Sequence, residues 1–234
     1  MLSIKWLIIL LFSGCILFFI PNLVRAVMNE SLKEGFVKIG ANPWALAAFS
    51  DFTVGFAFNL TFICVREASD LYPIAGRKPS SWSAFFWVVL AMLVGNPAVL
   101  GYGIYQLVQA PSVQEAFIVR CATVNNNPGS DRMVATRTKW LFGLFQAAML
   151  GLFIYYLFCC VVALSSQSIG DGWQYIKSDP WAYLTFCDNL LGVVFTSVYM
   201  AMVLGGGCWK AIGAWWLALW WLGNGTTVSI DMES

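Results

Sequence analysis

Charge is kept out of six long apolar stretches of this chain. Thirteen Lys and Arg and twelve Asp and Glu are present, and all but Asp51 and Asp188 fall between or beside the segments Trp6–Val24, Pro43–Val65, Trp82–Val108, Trp140–Ser165, Pro180–Leu204 and Ala211–Ile230. A helix that crosses a bilayer needs about 20 mostly apolar residues at about 1.5 Å of rise each, and each segment meets that length. Short polar stretches rich in Pro, Gly, Asn and Ser, such as 69–81 and 125–137, separate them. The expected fold is therefore all-α and polytopic, with six transmembrane helices.

Composition narrows the chemistry. Hydrophobic residues make up 59% and charged residues 11% of the 234, against about 25% charged in an ordinary soluble domain. The net charge is +1, which leaves no basic surface for nucleic acid. Histidine is absent, so an imidazole base and a Ser-His or Cys-His nucleophile pair are excluded. Seven cysteines, an odd number without a C-x-x-C spacing, give no metal signature. No metal or cofactor is expected, and membrane lipid is the one partner that composition implies.

The first segment has the outline of a secretory signal, with Lys5 before the apolar run and Val24-Arg25-Ala26 after it. It reads instead as a retained helix, because the fourth segment opens with Lys139-Trp140-Leu141 as the first opens with Lys5-Trp6-Leu7. Six crossings would set Lys5, Arg66, Arg77, Lys78 and Lys177 on one side and the eight other basic residues on the opposite side. By the positive-inside rule, both termini are then expected outside or in a lumen.

A repeat organises the chain. Asn42-Pro43-Trp44-Ala45 returns as Asp179-Pro180-Trp181-Ala182, and Phe49, Asp51, Gly55 and Phe58 return 137 positions later as Phe186, Asp188, Gly192 and Phe195. Gly95-Asn96 in the third segment is matched by Gly223-Asn224 in the sixth. Residues 1–124 and 139–234 thus read as two three-helix units joined by a polar linker, 125–138. Three crossings per unit would mount the second upside down, giving an inverted 3+3 repeat with its interface near the midplane.

Within each copy, Asn42 or Asp179 suits a helix N-cap and the following proline the first helical position. Asp51 and Asp188 lie eight residues further on, about 12 Å into the helix. The stripes Ala47-Asp51-Gly55-Asn59 and Leu184-Asp188-Gly192-Thr196 share one helix face each. A carboxylate at that depth costs about 2.5–3.5 kcal/mol on insertion scales, which something must offset. Asp51 and Asp188 are the candidate proton-donating, catalytic groups, with Gly55, Asn59, Gly192 and Thr196 as candidate ligand contacts. Should the two acids converge, like-charge repulsion would keep one of them protonated. A packing role, each acid bonding a neighbouring helix beside a close-approach glycine, accounts for the same residues. In the sixth segment Trp215, Trp216, Trp220 and Trp221 cover more than one face, and Trp216 and Trp220 are candidates for an aromatic wall.

The run Asn42-Pro43-Trp44-Ala45 to Phe49-Ser50-Asp51-Phe52, then Val65-Arg66-Glu67-Ala68-Ser69, then Trp82 opening a segment through Gly95, resembles a transmembrane family of plants and algae, domain of unknown function family 1475. Repeats of that family carry a Pro-Trp-Met-Ala to Asp-Phe-Tyr helix ending in a Lys-Glu-Ser-like turn. The likeness covers most of residues 1–124. In the second half Val203-Leu204-Gly205-Gly206 replaces the Arg-Glu-Ala turn, so Glu67 has no duplicate. The two-helix core also resembles the short bacterial family of domain of unknown function 2834, linked by name to terpene cyclases. More remotely, the chain is similar to fungal membrane terpene cyclases, in which an acid protonates an alkene or epoxide and aromatic faces steady the carbocation. These likenesses imply a membrane fold and an apolar, isoprenoid-like ligand, bound or cyclised. A small proton-coupled carrier and a structural subunit of a larger membrane complex remain open beside that reading.

Overall fold

A computed structural model describes residues 3–68, 80–117 and 131–204, with side chains described for 3–67, 80–117 and 143–202. The described residues are all helical or in turns: α1 (Ile4–Asn29), α2 (Leu32–Ala41), α3 (Pro43–Ala68), α4 (Ser81–Val94), α5 (Asn96–Gln109), α6 (Val113–Phe117), α7 (Asp131–Ser166), α8 (Ile169–Ser178) and α9 (Pro180–Leu204). Four of these helices are long and apolar enough to cross a membrane, over Ile4–Asn29, Pro43–Glu67, Gly143–Ser166 and Pro180–Met202. The sixth expected segment, Ala211–Ile230, lies outside the described residues. Helical backbone begins at Asp131, inside the stretch 125–138 expected to be a linker.

The third segment is not one crossing. It breaks at Gly95, whose φ of +81° lies in the left-handed region that glycine adopts without a Cβ penalty. Pro97 follows in the first turn of α5, where its missing N–H costs nothing. In a continuous helix the rings of Trp87 and Tyr102 would stand about 22 Å apart; their centroids are 5.3 Å apart. So α4 and α5 fold back on each other as a hairpin. Both of its legs return to the end of α3, where the Ser80 amide donates to the Glu67 carbonyl at 2.9 Å. There Tyr102 and Gln106 donate to Glu67 Oε1 at 3.0 and 2.6 Å.

That hairpin removes the inversion. The first half has two helices long enough to cross, α1 and α3, and they carry the chain to the far end of the bundle and back. Accordingly α3 and α9 run in the same direction. Their first turns lie together, with Ala45 and Ala182 in one buried cluster, and further along Phe62 meets Phe195 at 5.6 Å and Phe58 meets Tyr199 at 5.7 Å. The inverted mounting expected from three crossings per unit is corrected to a parallel arrangement. Lys177 likewise moves: α8 sits beside α2 and its Lys38, at the opposite end of the bundle from Lys5 and Arg66, so the charge count that set both termini outside loses its basis.

Two short helices form the elbows before α3 and α9. Ser31 and Glu34 make a capping box at the start of α2, and the Asp171 amide donates to Ser168 Oγ at 3.1 Å at the start of α8. Asn42 Oδ1 accepts from the Trp44 and Ala45 amides at 3.0 and 3.1 Å, and Asp179 Oδ1 from the Ala182 amide at 2.8 Å, as an N-cap requires. The elbows then exchange contacts. Trp44 Nε1 donates to the Gln167 carbonyl and Trp181 Nε1 to the Glu30 carbonyl, each at 3.2 Å. The Trp44 indole lies on Gly172, and that of Trp181 lies on Gly35. Each of these contacts maps onto its counterpart by a shift of 137 positions. The first helices cross over as well: α1 packs on α9, and α7 on α3, so each half contributes a helix to the other's core.

A Cβ at Gly35 or Gly172 would overlap an indole that its own hydrogen bond holds in place. Gly35→Ala and Gly172→Ala are each expected to cost about 1–3 kcal/mol, read as a lowered unfolding midpoint in detergent. Gly14→Ala, which meets nothing within 4 Å, is the control and should lose nothing.

Candidate functional site

A helix that starts in apolar surroundings leaves amide N–H groups without partners, and each must be met from elsewhere. For α5 the residue at the cap position is Gly95, which has no side chain to offer. Asp188 supplies the acceptor from α9. The Asn96 amide donates to Asp188 Oδ1 at 2.8 Å, and Asn96 Nδ2 donates to the Asp188 carbonyl at 2.9 Å. A carboxylate placed there is also favoured by the positive end of the helix dipole, by about 0.3–1 kcal/mol when exposed and up to about 2 when partly buried.

Two glycines make room for this pairing. A side chain at Gly95 would run into the Asp188 carboxyl, and a Cβ at Gly192 would lie 2.8 Å from Asn96 Nδ2. Asn59 completes the group from α3, donating through Nδ2 to Asn96 Oδ1 at 2.9 Å. Asn59, Asp188 and Gly192, drawn from both expected stripes, therefore converge on Asn96. Asn96 carried no role in the sequence reading beyond its share in the repeat, and the Gly-Asn-Pro run inside an apolar segment was the signal for it.

Asp51 has a different partner. Its Oδ2 accepts a hydrogen bond from Asn189 Nδ2. Consecutive positions on a helix point about 100° apart, so Asn189 turns toward α3 while Asp188 turns toward the hairpin tip. The two carboxyls do not share a site, contrary to the expectation of a converging, proton-sharing pair. Gly55 is buried near Asp51 on α3. Thr196 is fully buried, and its Oγ1 has no hydrogen-bond partner among the described residues. Trp216 and Trp220, the expected aromatic wall, lie outside the described residues.

An open apolar groove of about 310 Å³ reaches Asp188 from the elbow side. It runs between α1, α2, α3, α9 and the hairpin tip. Gly95 and Asp188 line its end at the hairpin tip, and Asp188 is the sole charged residue among the described residues that line it. Phe36, Phe49, Phe52 and Phe56 line one wall as a continuous ladder, with successive centroids 5.7, 6.0 and 5.2 Å apart. This ladder belongs to α2 and α3, and the sequence reading had named only Phe49 and Phe52 of it, as parts of a motif.

No family model, curated protein or solved structure matches the chain.

If Asp188 holds the hairpin tip, Asp188→Leu should free the first turn of α5 and cost about 1–3 kcal/mol, whereas Asp188→Asn keeps an acceptor and should cost less. Hydrogen exchange at the Asn96 amide would rise in the leucine variant first. Unchanged exchange there in the leucine variant would remove Asp188 as the cap.

Proposed function

We propose that the chain is an integral membrane protein whose two halves are a parallel, intramembrane duplication, and that it binds an apolar, isoprenoid-like ligand in the groove between them that ends at Asp188. One observation carries the ligand reading: an acid and an aromatic ladder share an otherwise apolar groove that is open on one side. Ligand sites are mostly apolar concavities with a few placed polar groups, and this groove has that make-up. Were the ligand turned over, Asp188 is the group placed to protonate it and the ladder the surface to steady a developing cation. Kinship to the transmembrane family named above belongs to the same proposal and rests on the Pro-Trp-Ala to Asp-Phe motif.

The duplication is supported by contacts that repeat at the sequence offset. Besides the Trp–Gly exchanges, Phe36 packs edge-on against Phe49 at 5.7 Å and Trp173 against Phe186 at 5.0 Å. The carrier alternative depended on rocking of oppositely mounted halves, and helices that run the same way give it no support. The structural-subunit reading keeps a specific observation in its favour, namely that both acids already have amide partners.

Photolabelling separates these readings. A diazirine-bearing farnesol analogue, applied to the full chain in nanodiscs, is expected to label the peptides of α3 and α9 that line the groove. Leu23→Trp, which narrows it, should abolish that labelling without unfolding the protein. Labelling spread evenly over the lipid-facing surface of α7 and insensitive to Leu23→Trp would leave only the scaffold.

A further inference from the structure

The two halves differ at one position that decides what each aspartate can do. Asp51 is held by the amide of Asn189. The position 137 residues before Asn189 is Phe52, which lines the groove beside Asp188. An amide donor in one half is therefore a phenyl ring in the other. We infer that the aspartates have diverged, Asp51 serving packing alone, and that the groove takes a single-chain apolar molecule bearing a positive charge at the end that meets Asp188. This inference rests on the groove reading above and specifies its ligand.

Charge complementarity supplies the sign. Among the described residues Asp188 is the groove's single charged group, no Lys or Arg lines it, and five phenyl rings border it. Carboxylate and aromatic faces both attract cations, the rings by about 0.5–1 kcal/mol each when exposed and more when desolvated. The α5 N-terminus offsets only about half a unit charge on Asp188. Asp51 takes the side-chain amide of Asn189 and Asp188 the backbone amide of Asn96, so what sets Asp188 apart is the groove that it lines. The ladder is also particular to the first half: the positions matching Phe52 and Phe56 are Asn189 and Val193.

The test uses dimethyldodecylamine as the probe, with dodecanol and dodecanoate as comparators, bound to the full chain and read by native mass spectrometry. The wild-type chain should take up one amine about tenfold more tightly than the alcohol, and the fatty acid least. Phe52→Asn, which copies into this half the amide that the other half already accommodates, should weaken the amine about tenfold and spare the alcohol. Asn189→Phe should change neither. Phe52→Leu, which adds no donor, should keep the preference, and Asp188→Asn should lose it while still binding dodecanol. These two keep the inference testable if Phe52→Asn does not fold. Equal binding of amine and alcohol, unmoved by these substitutions, would overturn the divergence and leave the groove reading standing. No difference between wild type and Leu23→Trp for either probe would overturn both.

Discussion

The free N-terminus of α5 sets the terms for everything packed around it. A helix that begins where no water is available must have its first amides bonded by protein, because an unpaired amide there costs several kcal/mol. Asp188 meets that need from another helix, and the bond requires α9 to lie against the hairpin tip. Gly192 then has to lack a side chain so that Asn96 can reach the α9 backbone, and Gly95 has to lack one so that the carboxyl fits. Asn59 brings in α3 through the remaining oxygen of Asn96. One polar contact thereby fixes the relative heights of α3, α5 and α9.

Around that contact the halves interlock. The first helix of each half packs on the long helix of the other, and the two elbow tryptophans each close on a glycine across the divide. Neither half buries its own apolar faces alone, so the described bundle is one cooperative unit. With α3 and α9 side by side in the same sense, Phe62 and Tyr199 meet between them at 5.2 Å.

Much of this was legible before any coordinates. The all-helical class, the caps at Asn42 and Asp179 and the burial of both acids follow from residue type and spacing. The hairpin did not, because Trp82–Val108 is long and apolar enough to cross, and hydropathy counts length without seeing where a helix breaks. Gly95-Asn96-Pro97 in its middle was the local signal, and it had been used only as a marker of repetition. That single misreading propagated. An odd number of crossings implies inversion, an even number does not, and the assignment of Lys177 to a side followed the count. The elbows α2 and α8 were passed over because ten residues of mixed polarity read as loop, although Ser31 with Glu34 spelled out a capping box.

Energetics also reassign what needs explaining. Before the fold was seen, the anomaly was an acid in oil, at about 2.5–3.5 kcal/mol. A hydrogen bond to a charged group contributes about 1.5–3 kcal/mol and the helix dipole up to about 2, which together offset that cost at Asp188. At Asp51 the Asn189 amide does part of the same work. The acids therefore require no ligand to exist where they are. The groove does raise a question of its own, since in a bilayer an open apolar concavity would fill with hydrocarbon of some kind. What distinguishes it from an ordinary lipid furrow is its inner end, where a carboxyl, a bare glycine backbone and a row of phenyl rings meet. The proposed ligand would have to gain from that acid what a plain acyl chain does not.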